Sequence, residues 1–417
     1  MKDAVFAHGQ LLPTQPPVKF SNLHRLDRRF CVMSIASDVA VGTSANEPEA
    51  NKLFRMCMKH KGSDLHLKVG LPPAMRLAGQ LRQMQLPALT AADMERLMFP
   101  LLNAKQKQIL EEEGGVDYAH ILRDEEGNET RFRVNLFKAR GALALVARRV
   151  NNFIPNFEQL GLPPILAEIT KEDTGIIILA GVTGSGKSTT IASMLQYVNE
   201  NERCHILTIE DPIEYTYKDA KSIVNQREIG IDVLDWNIAL KHAVREDPDI
   251  ILVGEMRDQD TFLAALHAAE TGHLVFGTIH ASSAPSTISR ILDLFPQEMH
   301  PAMRQNLAFN LKAVVAQKLL RTTKDWAEKT GATRIPTCEI MRSNPTVRKL
   351  ILAEEDSKLS DAIRIGQDEG MMDFTESLRQ LVLAEKIERS TAFEVAPSPD
   401  ALKMALKGIQ VAAPGIL

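Results

Sequence analysis

The amino-acid pattern points to an α/β protein: a parallel sheet covered by helices, with a smaller α+β domain ahead of it. A glycine-rich loop, Gly181-Val-Thr-Gly-Ser-Gly-Lys-Ser-Thr189, fits the phosphate-cradling pattern G-x-x-x-x-G-K-[ST] in full. Its flanks are those the chemistry requires. Gly175–Ala180 is an apolar run of strand length, and Ile191, Met194, Leu195 and Val198 then recur at helical spacing. Further on, apolar runs at 205–209, 250–253 and 274–279 are separated mostly by helical stretches, the alternation that gives a parallel sheet.

The length of 417 residues suffices for two domains and a large core, and 44% apolar with 24% charged residues is ordinary for a soluble protein. A net charge of −4 argues against a nucleic-acid partner held by a general positive field. No apolar run approaches the roughly 18 residues of a spanning helix, and the first residues lack a signal-peptide core. A cytoplasmic protein is expected. Cys31, Cys57, Cys204 and Cys338 are scattered without a C-x-x-C pair, so neither a disulfide framework nor a structural zinc site is expected.

In chain order, residues 1–48 carry prolines, serines and alanines without a sustained period and read as a weakly ordered extension. The first domain, 49–150, opens with a helix around Leu53 and Phe54 that Gly62 ends. Leu65, Leu67 and Val69 then mark one face of a strand, and Met75–Leu81 reads as a second strand bent at its glycine. A helical segment runs from about Ala91 to Glu113. Antiparallel strands follow over Asp117–Arg149, with a hairpin at Glu125-Glu-Gly-Asn128. The proline- and asparagine-rich stretch 151–164 reads as a linker. The second domain spans 165–395. In it, Leu307, Leu311, Val314, Val315 and Leu319 read as one amphipathic helix, and several helices follow from about Arg342. After Pro397 the pattern fades, leaving 396–417 as a flexible tail.

The loop implies a bound nucleoside triphosphate. Gly181, Thr183, Gly184, Ser185, Gly186, Lys187, Ser188 and Thr189 would cradle it, Lys187 reaching the β- and γ-phosphates and Ser188 holding Mg²⁺. Phosphoryl transfer also needs a group beside the metal and one that orients the attacking water. Asp249-Ile-Ile-Leu-Val-Gly-Glu-Met-Arg-Asp258 is an apolar strand ending in an acid, Glu255, placed beside Mg²⁺ through bound water. Ile206-Leu-Thr-Ile-Glu-Asp-Pro-Ile-Glu214 is another, and Glu210 is taken as the residue that polarises water. Glu214 is a metal-ligand candidate or a solvated acid, and Asp211 a turn former. Two histidines bracket the strand in Glu270-Thr-Gly-His-Leu-Val-Phe-Gly-Thr-Ile-His280. His280, at the carboxyl end, is better placed than His273 to sense the γ-phosphate. Arg133, Arg140 and Arg148 of the first domain are candidates to act in trans on a neighbouring subunit's nucleotide.

These four motifs, in this order and spacing, resemble the secretion and pilus ATPases of the type II/type IV class, over roughly Asn51 to Arg389. The resemblance implies a Per-ARNT-Sim-like (PAS-like) N-terminal domain, a RecA-like ATPase domain, and a homohexameric ring with ATP and Mg²⁺ between subunits. It also implies an inner-membrane pilus platform protein as partner, and hence peripheral membrane association. Glu210 matches the family's catalytic glutamate, Glu255 its metal-side glutamate and Lys187 its phosphate lysine, while Arg133, Arg140 and Arg148 fall where it carries phosphate-contacting arginines. Gly62-Ser-Asp-Leu-His-Leu67, Gly70-Leu-Pro-Pro73 and Asn225-Gln-Arg-Glu228 look like the pilus-retraction subgroup, as does the lack of a four-cysteine zinc module. Two motifs depart from it: Val182 replaces a usual proline, and Thr346-Val-Arg-Lys-Leu-Ile351 keeps only part of a late motif. The resemblance thus implies a motor that retracts a type IV pilus. The alternatives are a secretion or pilus-assembly ATPase and, more remotely, a DNA-translocating motor.

Overall fold

The computed structural model describes residues 47–123 and 127–409. The expected extension, but for its last two residues, and the end of the expected tail lie outside the described residues.

Residues ahead of the linker form a sheet of six antiparallel strands in the order β3-β2-β1-β6-β5-β4. These are β1 (Asp64–Lys68), β2 (Ala74–Leu77), β3 (Gln80–Gln83), β4 (Gly115–Arg123), β5 (Glu129–Ala139) and β6 (Ala142–Arg149). The expected bent strand at Met75–Leu81 is two strands, because Ala78 and Gly79 both take positive φ and reverse the chain. The expected helix from Ala91 to Glu113 breaks into Ala91–Met98 and Ala104–Glu113, where Pro100 interrupts it and Asn103 caps the second piece. The β4–β5 hairpin is closed by Arg123 opposite Glu129, its tip lying outside the described residues.

The alternation along β5 sets what the two faces of this sheet do. Phe132, Val134 and Leu136 point into a core shared with Phe54, Met94 and Leu110 of the helices, and the Phe54 and Phe132 rings meet edge-on at 5.0 Å. Arg131, Arg133 and Asn135 alternate with them, so they occupy the opposite face.

Beyond the linker, seven strands order as β13-β12-β7-β11-β10-β8-β9. They are β7 (Gly175–Ala180), β8 (His205–Glu210), β9 (Ile223–Glu228), β10 (Ile250–Val253), β11 (Leu274–Ile279), β12 (Leu311–Arg321) and β13 (Arg334–Arg342). All pairs are parallel except β12–β13. Every residue of β7 is buried because helices cover both faces, which is why its sequence is continuously apolar.

Two expectations need correcting. Of the residues assigned to one amphipathic helix, only Leu307 lies in a helix, His300–Asn310; Leu311, Val314, Val315 and Leu319 belong to β12. Paired on both edges, between β7 and β13, that strand lacks polar alternation, and its apolar residues happen to fall at helical spacings. Nor is the chain patternless after Pro397: the helix Pro399–Ala405 buries Leu402 beside Leu378 and Leu381. With one buried anchor in seven residues, no period could register in the sequence.

Candidate active site

β7, β11, β10 and β8 are adjacent, so their carboxyl ends form one row, the place where open α/β sheets bind ligands. The glycine loop leaves β7, Glu210 ends β8, Glu255 follows β10 and His280 follows β11. They line one cleft of about 440 Å³, together with Thr183, Ser188 and Thr189.

The loop is shaped by a neighbour that sequence reasoning missed. Gln317 of β12, 3% exposed, donates from Nε2 to Ser185 O at 2.8 Å and accepts at Oε1 from the Thr190 hydroxyl at 2.8 Å. Backbone and amide of Gln317 crowd the loop, so a Cβ at Gly181 would stand 2.7 Å from Gln317 O. One at Gly186, whose φ is 92°, would stand 2.8 Å from Nε2. Only glycine fits at these two positions. Lys187 opens the following helix and is buried, with Nζ donating to Gly181 O at 2.8 Å and Val182 O at 3.3 Å. Desolvation lowers its pKa, opposed by the charges of Glu255 and Glu214.

Glu210 and Glu255 occupy opposite environments. Glu210 is 9% exposed, and burial pushes its pKa up to about 7 despite hydrogen bonds from the Thr208 hydroxyl at 2.7 Å and Gln226 Nε2 at 3.4 Å. Glu255 is held below the usual carboxylate range, first by Arg257 Nη2 at 2.6 Å, and it also meets His280 Nε2 at 3.1 Å. One carboxyl thus titrates near neutrality and the other stays ionised, the division of labour expected of a base and an electrostatic partner. The sequence assigns no role to Arg257, Thr208 or Gln226, although Gln226 lies in the Asn225-Gln-Arg-Glu228 motif. Arg257, two residues beyond Glu255, and Thr208, two residues before Glu210, each had a local signal. Thr189 Oγ1 lies 2.9 Å from the Tyr215 hydroxyl, bringing the loop after Glu210 against the phosphate loop.

The remaining candidates are placed as follows. His280 is exposed at the cleft, whereas His273 sits at the opposite end of β11, its Nδ1 2.9 Å from Ala268 O. Glu214 is exposed and lines both this cleft and a neighbouring one of about 700 Å³. Arg133 and Arg148, register partners on β5 and β6, line that second cleft, and Arg148 Nε donates to Asp64 at 2.8 Å. Arg140 sits in the β5–β6 turn at φ 54° and lines neither cleft. Within one chain none of the three lines the nucleotide cleft. No cluster of three His, Cys, Asp or Glu capable of holding a metal is found among the described residues. A hydroxyl with one or two carboxylates is instead the sparse donor set that suits Mg²⁺, which keeps waters and takes substrate phosphate oxygens.

A family profile described as Type II/IV secretion system protein matches residues 41–390. The chain is 40% identical over 352 residues to the type IV pilus retraction ATPase PilT of Pseudomonas aeruginosa, covering 84% of this chain and 99% of that one. It is 40% identical over 310 residues to a twitching motility protein of Neisseria gonorrhoeae, covering 74% and 80%. Its fold matches a crystal structure of the pilus retraction motor PilT with bound ADP, with a TM-score of 0.75 at 40% identity over 84% of this chain and 98% of that chain.

Proposed function

The chain belongs to the Type II/IV secretion system protein family, and we propose that it is a motor that hydrolyses ATP to retract a type IV pilus. One observation carries the reading: Lys187, Glu210 and Glu255 meet in one cleft of a chain that spans almost the whole of a pilus retraction ATPase at 40% identity. In this reading the sheet of seven strands is a RecA-like ATPase domain and the sheet of six a PAS-like one.

The chain's residues divide the hydrolysis among them. Backbone N–H groups of 183–188 and the N-terminus of the helix Lys187–Asn201 hold the triphosphate. Lys187 turns its ammonium from the carbonyls of Gly181 and Val182 towards the β- and γ-phosphates, where a desolvated cation interacts strongly. Glu210 orients a water in line with the γ-phosphorus and takes its proton as the new P–O bond forms and the bond to the ADP oxygen breaks. Ser188 and Glu255, with Glu214 at the rim, would hold Mg²⁺, which supplies charge neutralisation on the phosphate oxygens. His280, 3.1 Å from Glu255, would sense the γ-phosphate. Arg133, Arg140 and Arg148 lie outside the cleft; in this reading they reach the nucleotide after the domains move or across a subunit boundary of a homohexamer. Among the described residues no helix is long and apolar enough to cross a membrane; in this reading the partner is a platform protein of the inner membrane.

Deleting the coding sequence tests this reading. Retained or excess surface pili with loss of surface movement are expected, restored by the native chain. Loss of pili would make it an assembly motor, and normal movement with a secretion defect would make it a secretion ATPase.

A further inference from the structure

A buried ion pair joins the two domains at a point the chemistry above does not use. Arg131, on the helix-free face of β5, donates from Nη2 to Glu228 Oε2 at 2.9 Å, and the two side chains are 14% and 4% exposed. Replacing a buried ion pair by apolar side chains is often neutral or stabilising, so fold stability is a weak reason for this one. Nor is it fully satisfied: Arg131 Nε is buried without a hydrogen-bond partner among the described residues, which is costly for a charged donor. A contact that is imperfect as glue calls for another role.

Its surroundings supply one. Glu228 ends β9 in register with Glu210 at the end of β8. The same Oε2 that meets Arg131 accepts from Ile213 N at 3.4 Å, three residues beyond Glu210. Two residues back on β9, Gln226 accepts from Tyr217 N at 3.0 Å, donates to Tyr215 O at 2.8 Å and reaches Glu210 Oε1 at 3.4 Å. Asn151, just after β6, accepts at its carbonyl from Thr216 N at 3.0 Å. The loop 211–217 is therefore gripped by β9 on one side and by the start of the linker, directly after β6 of the first domain, on the other, while the Arg131–Glu228 pair ties β9 to β5 of that domain.

We infer that Arg131 and Glu228 are positioning residues that make the placement of Glu210 depend on where the N-terminal domain sits. With the pair closed, β9 holds the loop after Glu210 in one register. When the domain swings and Arg131 leaves, Glu228 loses the cation that fixes its carboxylate, its hold on Ile213 N loosens, and the loop that follows Glu210 is freed, so that hydrolysis is gated by domain position. The inference rests on reading Glu210 as the catalytic carboxylate.

The test is steady-state ATP hydrolysis by the full-length chain, with the Kd of a fluorescent ADP analogue and amide exchange at 211–217, for Arg131→Gln, Arg131→Met and Arg131→Lys. Arg131→Gln should lower kcat at least about tenfold, leave the Kd within about threefold and speed exchange in that loop, and Arg131→Lys should restore most of kcat. Arg131→Met keeps the stem's packing and should match Arg131→Gln. Unchanged kcat, parallel loss of kcat and affinity, or global unfolding of both neutral variants would each overturn the inference. Glu210→Gln, assayed in parallel, separates the two failures: if it still turns over ATP, the catalytic reading itself is wrong.

Discussion

Glu210 combines a position that sequence reading reached with an environment that it did not. A strand ending in an acid is a local pattern, but a pKa of about 7 comes from burial, offset mainly by the Thr208 hydroxyl. A base must be deprotonated, so kcat/KM should rise with pH through about 7 and level off above it. Thr208→Val removes a hydrogen bond that favours the charged carboxylate, and the rising limb should then move to higher pH. A pH–rate profile unchanged by that substitution would count against the assignment. Gln317 gives a second expectation. Gln317→Ala leaves the buried Ser185 carbonyl and Thr190 hydroxyl without their partner, at roughly 1–3 kcal/mol each. Nucleotide Kd, measured by titration, should weaken about tenfold or more.

β13 and the helix Ala284–Leu292 are joined by Glu339, whose buried Oε2 accepts from Ala284 N at 2.6 Å four residues after His280. Burial raises the Glu339 pKa to about 7 from an ordinary 4.5. Between those values the folded chain holds a proton that the unfolded chain has released, so this group's stabilising contribution is full below about 4.5 and is lost as pH rises through about 7. Glu339→Gln mimics the protonated form. Its thermal stability should match the native chain near pH 5 and exceed it at pH 8, by up to an order of 3 kcal/mol for a shift of that size. Equal melting temperatures at pH 8 would refute this. The helix Pro399–Ala405 makes a smaller claim: Leu402→Ala should cost about 2–5 kcal/mol, read by denaturant unfolding, because that side chain is fully buried.

Across the whole chain, what was legible followed sequence distance. The phosphate loop, the acids ending β8 and β10, and the histidines around β11 are each contiguous signals, and the sheet order only had to bring their ends together. Gln317 was invisible, and Gln226 legible only as part of a motif without a role, because their importance lies in adjacency. β12 lies beside β7 across more than a hundred residues, and β9 lies beside β8 through a loop that no periodicity describes. The same non-local burial disguised β12 as part of a helix. The first-domain arginines were legible as a cluster, but their division was not: Arg131 and Arg133 share one face of β5, yet Arg133 lines a second cleft with Arg148 while Arg131 reaches Glu228. The common premise is a carboxyl at the end of β8 that activates water against a triphosphate held by Lys187. ATP turnover by Glu210→Gln, with ADP binding measured on the same preparation, tests it most directly. Turnover should fall by roughly a thousandfold while binding is retained; hydrolysis within about tenfold of the native rate would contradict the account.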